Sequence, residues 1–179
     1  MKKTVNAFDY AGDIAKAMNP GILLTTKSGD EVNTMTIGWG MLGVEWGKPI
    51  FIALVRVSRH TRKLLDESGE FTVNVPVGEA DRKILGFCGS KSGRDVNKFS
   101  ELGLTPVESD IVSVPGIKEL PLTLECKVLY RQEQDLSAIP APILERYYPA
   151  DVDGAYCGSN RDYHIAYYAE IVNAYIAED

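Results

Sequence analysis

Nine residues, Val55–Lys63 ("VRVSRHTRK"), hold Arg56, Arg59, Arg62, Lys63 and His60, and no acid. The whole chain is acidic, with 19 Lys and Arg against 25 Asp and Glu and a formal net charge of −6. An apolar, β-rich run precedes the cluster and a helix-forming run follows it. A strand thus delivers the chain into a helix start, where unpaired N–H groups and the positive dipole end attract anions. One reading makes Ser58, Arg59 and Thr61 a phosphate seat, with Arg56 alongside. The other makes Ser58 or Thr61 an N-cap followed by solvated cations. The pattern alone leaves both open.

A second stretch, "CGSKSGRDVNK", sets Ser90, Lys91, Ser92, Gly93 and Arg94 before a helix that Asp95 can cap. Small residues let backbone approach a ligand closely, and Lys91 and Arg94 supply charge. A Ser/Gly turn with surface cations accounts for the same residues. Two such starts in one acidic chain strengthen the case for an anion site at one of them. A third stretch, "NTMTIGWG", puts Asn33, Thr34 and Thr36 in an otherwise buried strand. They can hydrogen-bond the carbonyls and nitrogens of a heteroaromatic ring, with Trp39 packed beside it. An edge strand with its polar face in water is the alternative.

Other chemistries find little support. The two histidines lie far apart, and Cys88, Cys126 and Cys157 are scattered and odd in number. No metal pattern or disulfide framework emerges, which fits a reducing cytoplasm. Ser159 and Asp162 lie close to His164, but there is no G-x-S-x-G elbow for a serine hydrolase. The glycines of "GWGMLG" lack dinucleotide-binding spacing. An isoelectric point near 5.0 argues against general nucleic-acid binding. No apolar run is long enough to cross a bilayer, and "MKKTVNAFDYAG" lacks the apolar stretch of a signal peptide. A length of 179 residues fits one domain.

The elements that must position these stretches read as follows. "AFDYAGDIAKAMNPG" is a short helix stopped by Pro20-Gly21. Ile22–Thr26 and Val32–Gly38 form a hairpin around Ser28-Gly29-Asp30. "KPIFIALVRV" is a buried strand, "HTRKLLDESGE" a helix closed by Gly69, and "EFTVNVPV" a strand ending at Pro76. "EADRKILGFCGS" and "RDVNKFSELG" are short helices, each ended by glycine. "LPLTLECKVLYRQE" alternates, with Leu122, Leu124, Cys126, Val128 and Tyr130 on one face. "PAPILERYYPAD" is a Pro-bounded loop with one helical turn at most, and "HIAYYAEIVNAYIAE" is β-rich. Six or seven mostly antiparallel strands with short helices point to a closed or split β-barrel, not a parallel doubly wound sheet.

The stretches "NTMTIGWG", "RVSRHTRKLLDESGEFTVNVP", "CGSKSGRDVNKF" and "DYHIAYYAEI", in that order, resemble the flavin reductase-like domain family, flavoredoxin-type subgroup. The resemblance runs from about Pro20 to Ile176. It implies a mainly β, antiparallel, Greek-key-like split barrel with short helical insertions, one domain over residues 1–179, binding FMN as a homodimer. Carried over, Asn33, Thr34, Met35 and Thr36 lie along the isoalloxazine with Trp39 near it. Arg56, Ser58, Arg59 and Thr61 hold the phosphate and ribityl chain. Lys91, Ser92 and Lys98 close the pocket, and His164 approaches the flavin, as a proton donor or as a structural histidine. The segment "YPADVDGAYCGSNRDYH" follows no pattern of the family.

The implied functions are an NAD(P)H-dependent flavin or ferric reductase, or a flavoredoxin-type electron carrier with a redox protein partner. A non-redox barrel for a phosphorylated ligand is the third reading. NADH and NADPH are not distinguished.

Overall fold

A computed structural model describes residues 1–152 and 161–178. In chain order it contains β1 (Lys2–Thr4), a 3₁₀ turn at Ala7–Tyr10, α1 (Ala11–Met18), β2 (Ile22–Ser28) and β3 (Glu31–Ile37). There follow β4 (Gly40–Glu45), β5 (Lys48–Arg56), α2 (His60–Ser68), β6 (Glu70–Val75), α3 (Arg82–Ser90) and α4 (Lys98–Leu102). The small strands β7 (Pro106–Val107) and β8 (Gly116–Ile117) pair with each other. The chain continues through β9 (Leu122–Glu133), a 3₁₀ turn at Leu136–Ala138, α5 (Ala141–Tyr147) and β10 (His164–Ala177).

The main sheet runs β3-β2-β6-β9-β10-β5-β4, with β1 added beside β10, and its recorded pairings are antiparallel. The path ends in β3 on one side and β4 on the other, so the sheet is a barrel that stays split. Its inner face carries the alternate residues Phe51, Ala53 and Val55 of β5, Phe71 and Val73 of β6, and Ile165, Tyr167 and Ala169 of β10. Phe51 and Phe71 meet edge to face at 6.5 Å. A second cluster lies on the opposite face of β2, where Leu23 packs with Ile84, Leu85 and Cys88 of α3. Full burial of each large side chain is worth about 1.5–3 kcal/mol, which fixes α3 against β2 and β3.

Most expected elements are present, with five differences. First, β4 reads as a run of glycines because it is an edge strand whose Gly40 meets Met18 and Phe51; a Cβ there falls 3.0 Å from the Phe51 ring. The two-residue turn after it puts Trp46 at φ 52 and Gly47 at φ 69, as a tight hairpin needs. Second, β1 is added to the sheet by pairing with β10, without hydrophobic alternation of its own. Third, α5 spans seven residues rather than one turn, its start pre-set by prolines. Fourth, α3 ends at Ser90 with Lys91 as C-cap, not glycine. Finally, register shifts near Leu129 break the alternation of β9, so Tyr130 emerges 46% exposed. Among the described residues no helix is long and apolar enough to cross a membrane.

Candidate functional site

The basic cluster lies where β5 hands over to α2. The N-cap of α2 is Arg59, which makes no side-chain capping bond. Neither expected cap serves. The Ser58 N–H donates to Asp162 Oδ2 at 2.8 Å. Thr61 is buried, and its hydroxyl accepts the Asn33 amide at 2.7 Å. The bond from Asn33 joins β3 to the first turn of α2, and it follows from opposing two short polar side chains in a buried place. The helix start is thus built without a capping side chain of its own, in a position suited to an anion.

The connection 91–97 between α3 and α4 forms the facing wall. Arg94 Nη2 donates to the Ser58 carbonyl at 3.1 Å, and the Arg94 N–H donates to Ser92 Oγ at 3.2 Å. Asn97, not Asp95, caps α4, accepting from the N–H groups of Phe99 and Ser100. Lys98 is buried. Its ammonium donates to the carbonyls of Thr34 at 2.8 Å and Cys88 at 3.0 Å. Lys98 therefore fastens α4 and α3 to the free edge of β3. Gly93 is required by close approach: a Cβ there falls 2.2 Å from Asn33 Oδ1 and 3.0 Å from the His60 ring.

These parts enclose a cavity of about 500 Å³. Of the residues singled out in the sequence, Asn33, Met35, Thr36, Ser58, Arg59, Thr61, Lys91, Ser92 and Lys98 line it. A smaller cavity of about 150 Å³ is lined by Trp39, Arg56 and His164, and shares Met35, Thr36 and Arg59 with the first. The two adjoin through those shared walls. Thr34 lines neither. Its hydroxyl accepts from Thr25 at 3.1 Å and donates to the Leu24 carbonyl at 3.3 Å. What Thr34 turns toward the free edge is its carbonyl, and Thr36, two residues on, presents its backbone the same way. The Thr36 hydroxyl itself donates to the Leu85 carbonyl at 2.6 Å.

Around the smaller cavity the groups are aromatic and tightly tied. The Trp39 and His164 rings lie 4.6 Å apart, and Tyr147 meets Trp39 edge to face at 5.3 Å. The Arg56 guanidinium lies 5.1 Å from the Tyr148 ring and 5.9 Å from that of Trp39. It donates to the carbonyls of Asp162 and, at 3.0 Å, Tyr147. Arg56 is thus committed to holding residues 147 and 162 against the barrel. Burial lowers its pKa while Asp162 opposes the shift; a guanidinium keeps its charge in any protein setting. His164 Nδ1 meets the Tyr148 hydroxyl at 2.9 Å, and that hydroxyl donates to Gln134 Oε1 at 2.8 Å. Burial, reinforced by Arg56, lowers the His164 pKa to about 3. The imidazole is neutral at pH 7, and its Nδ1 proton is directed to Tyr148.

The donor set fits a phosphorylated, ring-bearing cofactor such as FMN. An uncapped helix start with Arg59, Lys91 and Arg94 suits a dianion, and glycines allow close backbone approach. Trp39 and His164 suit a planar ring. The thiol of Cys88, also on the wall, is pushed up to about 11 by burial and stays protonated. Arg94, visible in the sequence as one of the cations beside Ser92, belongs with the site residues, as do His60 and Gly93. Tyr148 gave no signal, because its role depends on where α5 ends. Cys157 and Ser159 lie outside the described residues.

Residues 16–179 match the family model described as the flavin reductase like domain. The chain belongs to that family. An uncharacterized protein of Archaeoglobus fulgidus is 36% identical over 104 residues, which span 58% of this chain and 58% of that relative. The matched length is thus a little over half of the relative. Among solved structures, the flavoredoxin of Methanosarcina acetivorans is 26% identical with a TM-score of 0.63, covering 89% of this chain and 69% of that one. The flavoredoxin of Desulfovibrio vulgaris (Miyazaki F) is 21% identical with a TM-score of 0.65, covering 89% and 70%. The flavin reductase-like fold expected from the four sequence stretches, of flavoredoxin type, is the one observed.

Proposed function

We propose that this flavin reductase-like protein binds FMN and acts as an NAD(P)H-dependent oxidoreductase, delivering electrons to free flavin or ferric iron. The observation that carries the reading is the pair of adjoining cavities, cationic at the start of α2 and aromatic at Trp39 and His164. Arg59, Lys91 and Arg94, with Ser58 and Ser92, hold the phosphate. Met35, Trp39 and the backbone of Thr36 on the edge of β3 meet the ring. FMN supplies hydride acceptance and single-electron release, while the protein supplies binding, orientation and electrostatics. His164, neutral at working pH, serves as a fixed acceptor rather than a source of protons.

Two further proposals complete the reading. The chain works in the cytoplasm as one domain. It also pairs as a homodimer through the outer face of β4, β5, β9 and β10. There Met41 is 50%, Trp46 56% and Tyr130 46% exposed, and the Tyr130 and Tyr168 rings lie 5.2 Å apart. A second copy buries such a face symmetrically.

The test is a visible absorption spectrum of the purified protein with added FMN, followed by anaerobic mixing with NADH and NADPH. Flavin bands that shift on binding and bleach with either nucleotide support the reductase. Bands that bleach only with a reduced protein partner support the flavoredoxin-type carrier, a reading in keeping with the name flavoredoxin that two structural relatives bear. No flavin binding leaves the barrel with some other phosphorylated ligand.

A further inference from the structure

Strand β9 ends at Glu133, but Gln134 stays bound to β10 through both its backbone and its side chain. The Gln134 N–H donates to the His164 carbonyl at 3.1 Å, and the His164 N–H donates to Gln134 Oε1 at 3.1 Å. The same Oε1 lies 2.8 Å from the Tyr148 hydroxyl, which in turn lies 2.9 Å from His164 Nδ1. A backbone N–H can only donate, so the atom of the Gln134 amide that faces it is the oxygen. An amide oxygen can only accept, so the Tyr148 hydroxyl gives its single proton to Gln134. Burial raises the Tyr148 pKa, so that proton is retained. The Tyr148 oxygen is left as an acceptor, and its bond to the imidazole requires the proton on Nδ1. Burial, with Arg56 and Arg59 and against Asp162, keeps the ring neutral. A neutral imidazole carries one N–H, so Nε2 is bare. His164 lines the smaller cavity, and Nε2 has no hydrogen-bond partner among the described residues.

We infer that Gln134 and Tyr148 are positioning residues that hold the His164 imidazole in its Nδ1–H form, so that the smaller cavity offers a bare Nε2 and selects a ligand group with an amide-type N–H. The choice of ligand rests on the FMN reading above. Which imidazole nitrogen carries the proton is set by the hydrogen bond that the other groups allow. With the proton on Nε2 the same cavity would favour a carbonyl or a carboxylate. The backbone N–H of His164 itself starts the chain that prevents this, because it fixes the orientation of Gln134. Tyr148 is the C-cap of α5, and Arg56 holds the neighbouring Tyr147 carbonyl at 3.0 Å. The end of α5 is therefore part of the site. The proposed ligands carry two such N–H groups, the imide of the isoalloxazine and the carboxamide of the nicotinamide.

The first test is a long-range proton–nitrogen NMR spectrum of the full chain at pH 7, with isotope-labelled histidine and no ligand. His164→Gln separates the His164 signals from those of His60. The parent should show a pyrrole-type Nδ1 and a pyridine-type Nε2. Tyr148→Phe and Gln134→Leu should each release the ring to the Nε2–H form. Gln134→Glu still accepts both protons and should keep the parent form. An Nε2–H form in the parent overturns the inference whether or not the variants fold, and so does an unchanged form in those that fold. The second test compares dissociation constants of ligands that differ by one N–H. N3-methyl FMN lacks the imide proton, and the 3-acetylpyridine analogue of the oxidised nicotinamide dinucleotide carries a methyl group in place of the amide nitrogen. The ligand that loses its donor to Nε2 should bind about tenfold more weakly, and the pair that shows the loss names the source. Tyr148→Phe should remove the difference. No difference in either pair overturns the selection for an N–H. Absence of FMN binding overturns the FMN reading and the choice of ligand with it, while the spectrum still decides on Gln134 and Tyr148.

Discussion

The Asn33 amide donates to the Thr61 hydroxyl at 2.7 Å, buried from solvent, and so locks the edge strand β3 to the start of α2. Both side chains line the larger cavity. The bond therefore sets the distance between the ring-facing strand and the phosphate-facing helix. Gly93 packs onto the same amide. Gly93→Ala places a methyl group 2.2 Å from Asn33 Oδ1, and the amide must move off Thr61. We expect a loss of about 1–3 kcal/mol, the cost of an unsatisfied buried polar group, and weaker FMN binding. Urea denaturation and a flavin titration measure the two effects. A variant as stable as the parent would show that the connection 91–97 gives way freely.

Phosphate and ring should fail separately. Riboflavin lacks the phosphate and its charge-assisted bonds, at about 1.5–3 kcal/mol each, so it should bind at least ~100-fold more weakly than FMN. Arg59→Glu should erase most of that preference while leaving riboflavin affinity close to the parent's. Thr36→Val belongs to another class, because the Thr36 hydroxyl donates to the Leu85 carbonyl. It should cost about 1 kcal/mol of stability, with little effect on the ratio of FMN to riboflavin affinity. Equal affinities for the two flavins in the parent protein would remove the basic cluster from the site.

The buried His164 gives stability a defined pH dependence. Its folded pKa of about 3 lies below the unfolded value near about 6.5. Between these values the unfolded chain binds the extra proton, so stability falls as pH drops through 6.5 toward 3. The slope should approach about 1.4 kcal/mol per pH unit at its steepest. His164→Gln should flatten this part of the stability curve, relative to the parent measured in the same buffers. A parallel displacement of the whole curve, with no change of slope, would contradict a neutral buried imidazole.

Assembly is tested at the β4–β5 turn. Trp46 occupies a left-handed position, φ 52, which asparagine tolerates better than a bulky residue. Trp46→Asn therefore leaves the hairpin intact while removing an exposed aromatic from the proposed interface. Light scattering should report twice 19.7 kDa for the parent and a concentration-dependent mixture for the variant. A parent that remains a monomer at micromolar concentration would rule out the pairing.

The parts of the site legible in the sequence are those whose chemistry is local. The cations of Val55–Lys63 and the small residues around Ser92 announce an anion site because composition and chain order suffice. Other parts were not legible because they depend on distant chain. Arg56 belongs to the same nine residues, yet it is taken up by the carbonyls of Tyr147 and Asp162, about a hundred residues on. Thr34 and Thr36 looked like ring contacts, but the pleat turns their hydroxyls to Thr25, Leu24 and Leu85. The helix caps were misplaced by two residues at α4, where Asn97 and Asp95 are equally able in sequence and only the backbone path chooses. The strand β4 is hidden by its two glycines, of which Gly40 is required by the packing of Met18 and Phe51.

The place of β10 between β9 and β5 bears on how the molecule is made. Neither neighbour pairs with the other, and β10 follows both in chain order. During synthesis the β3-β2-β6-β9 half and the β4–β5 hairpin therefore each keep an open hydrogen-bonding edge until β10 is made. Arg56, opposite His164 in the β5–β10 register, gains its fixed position only when the pieces join. Cofactor loading should thus follow the closing of the sheet, and a nascent chain halted before residue 164 should be sticky and colourless, a natural client for chaperones.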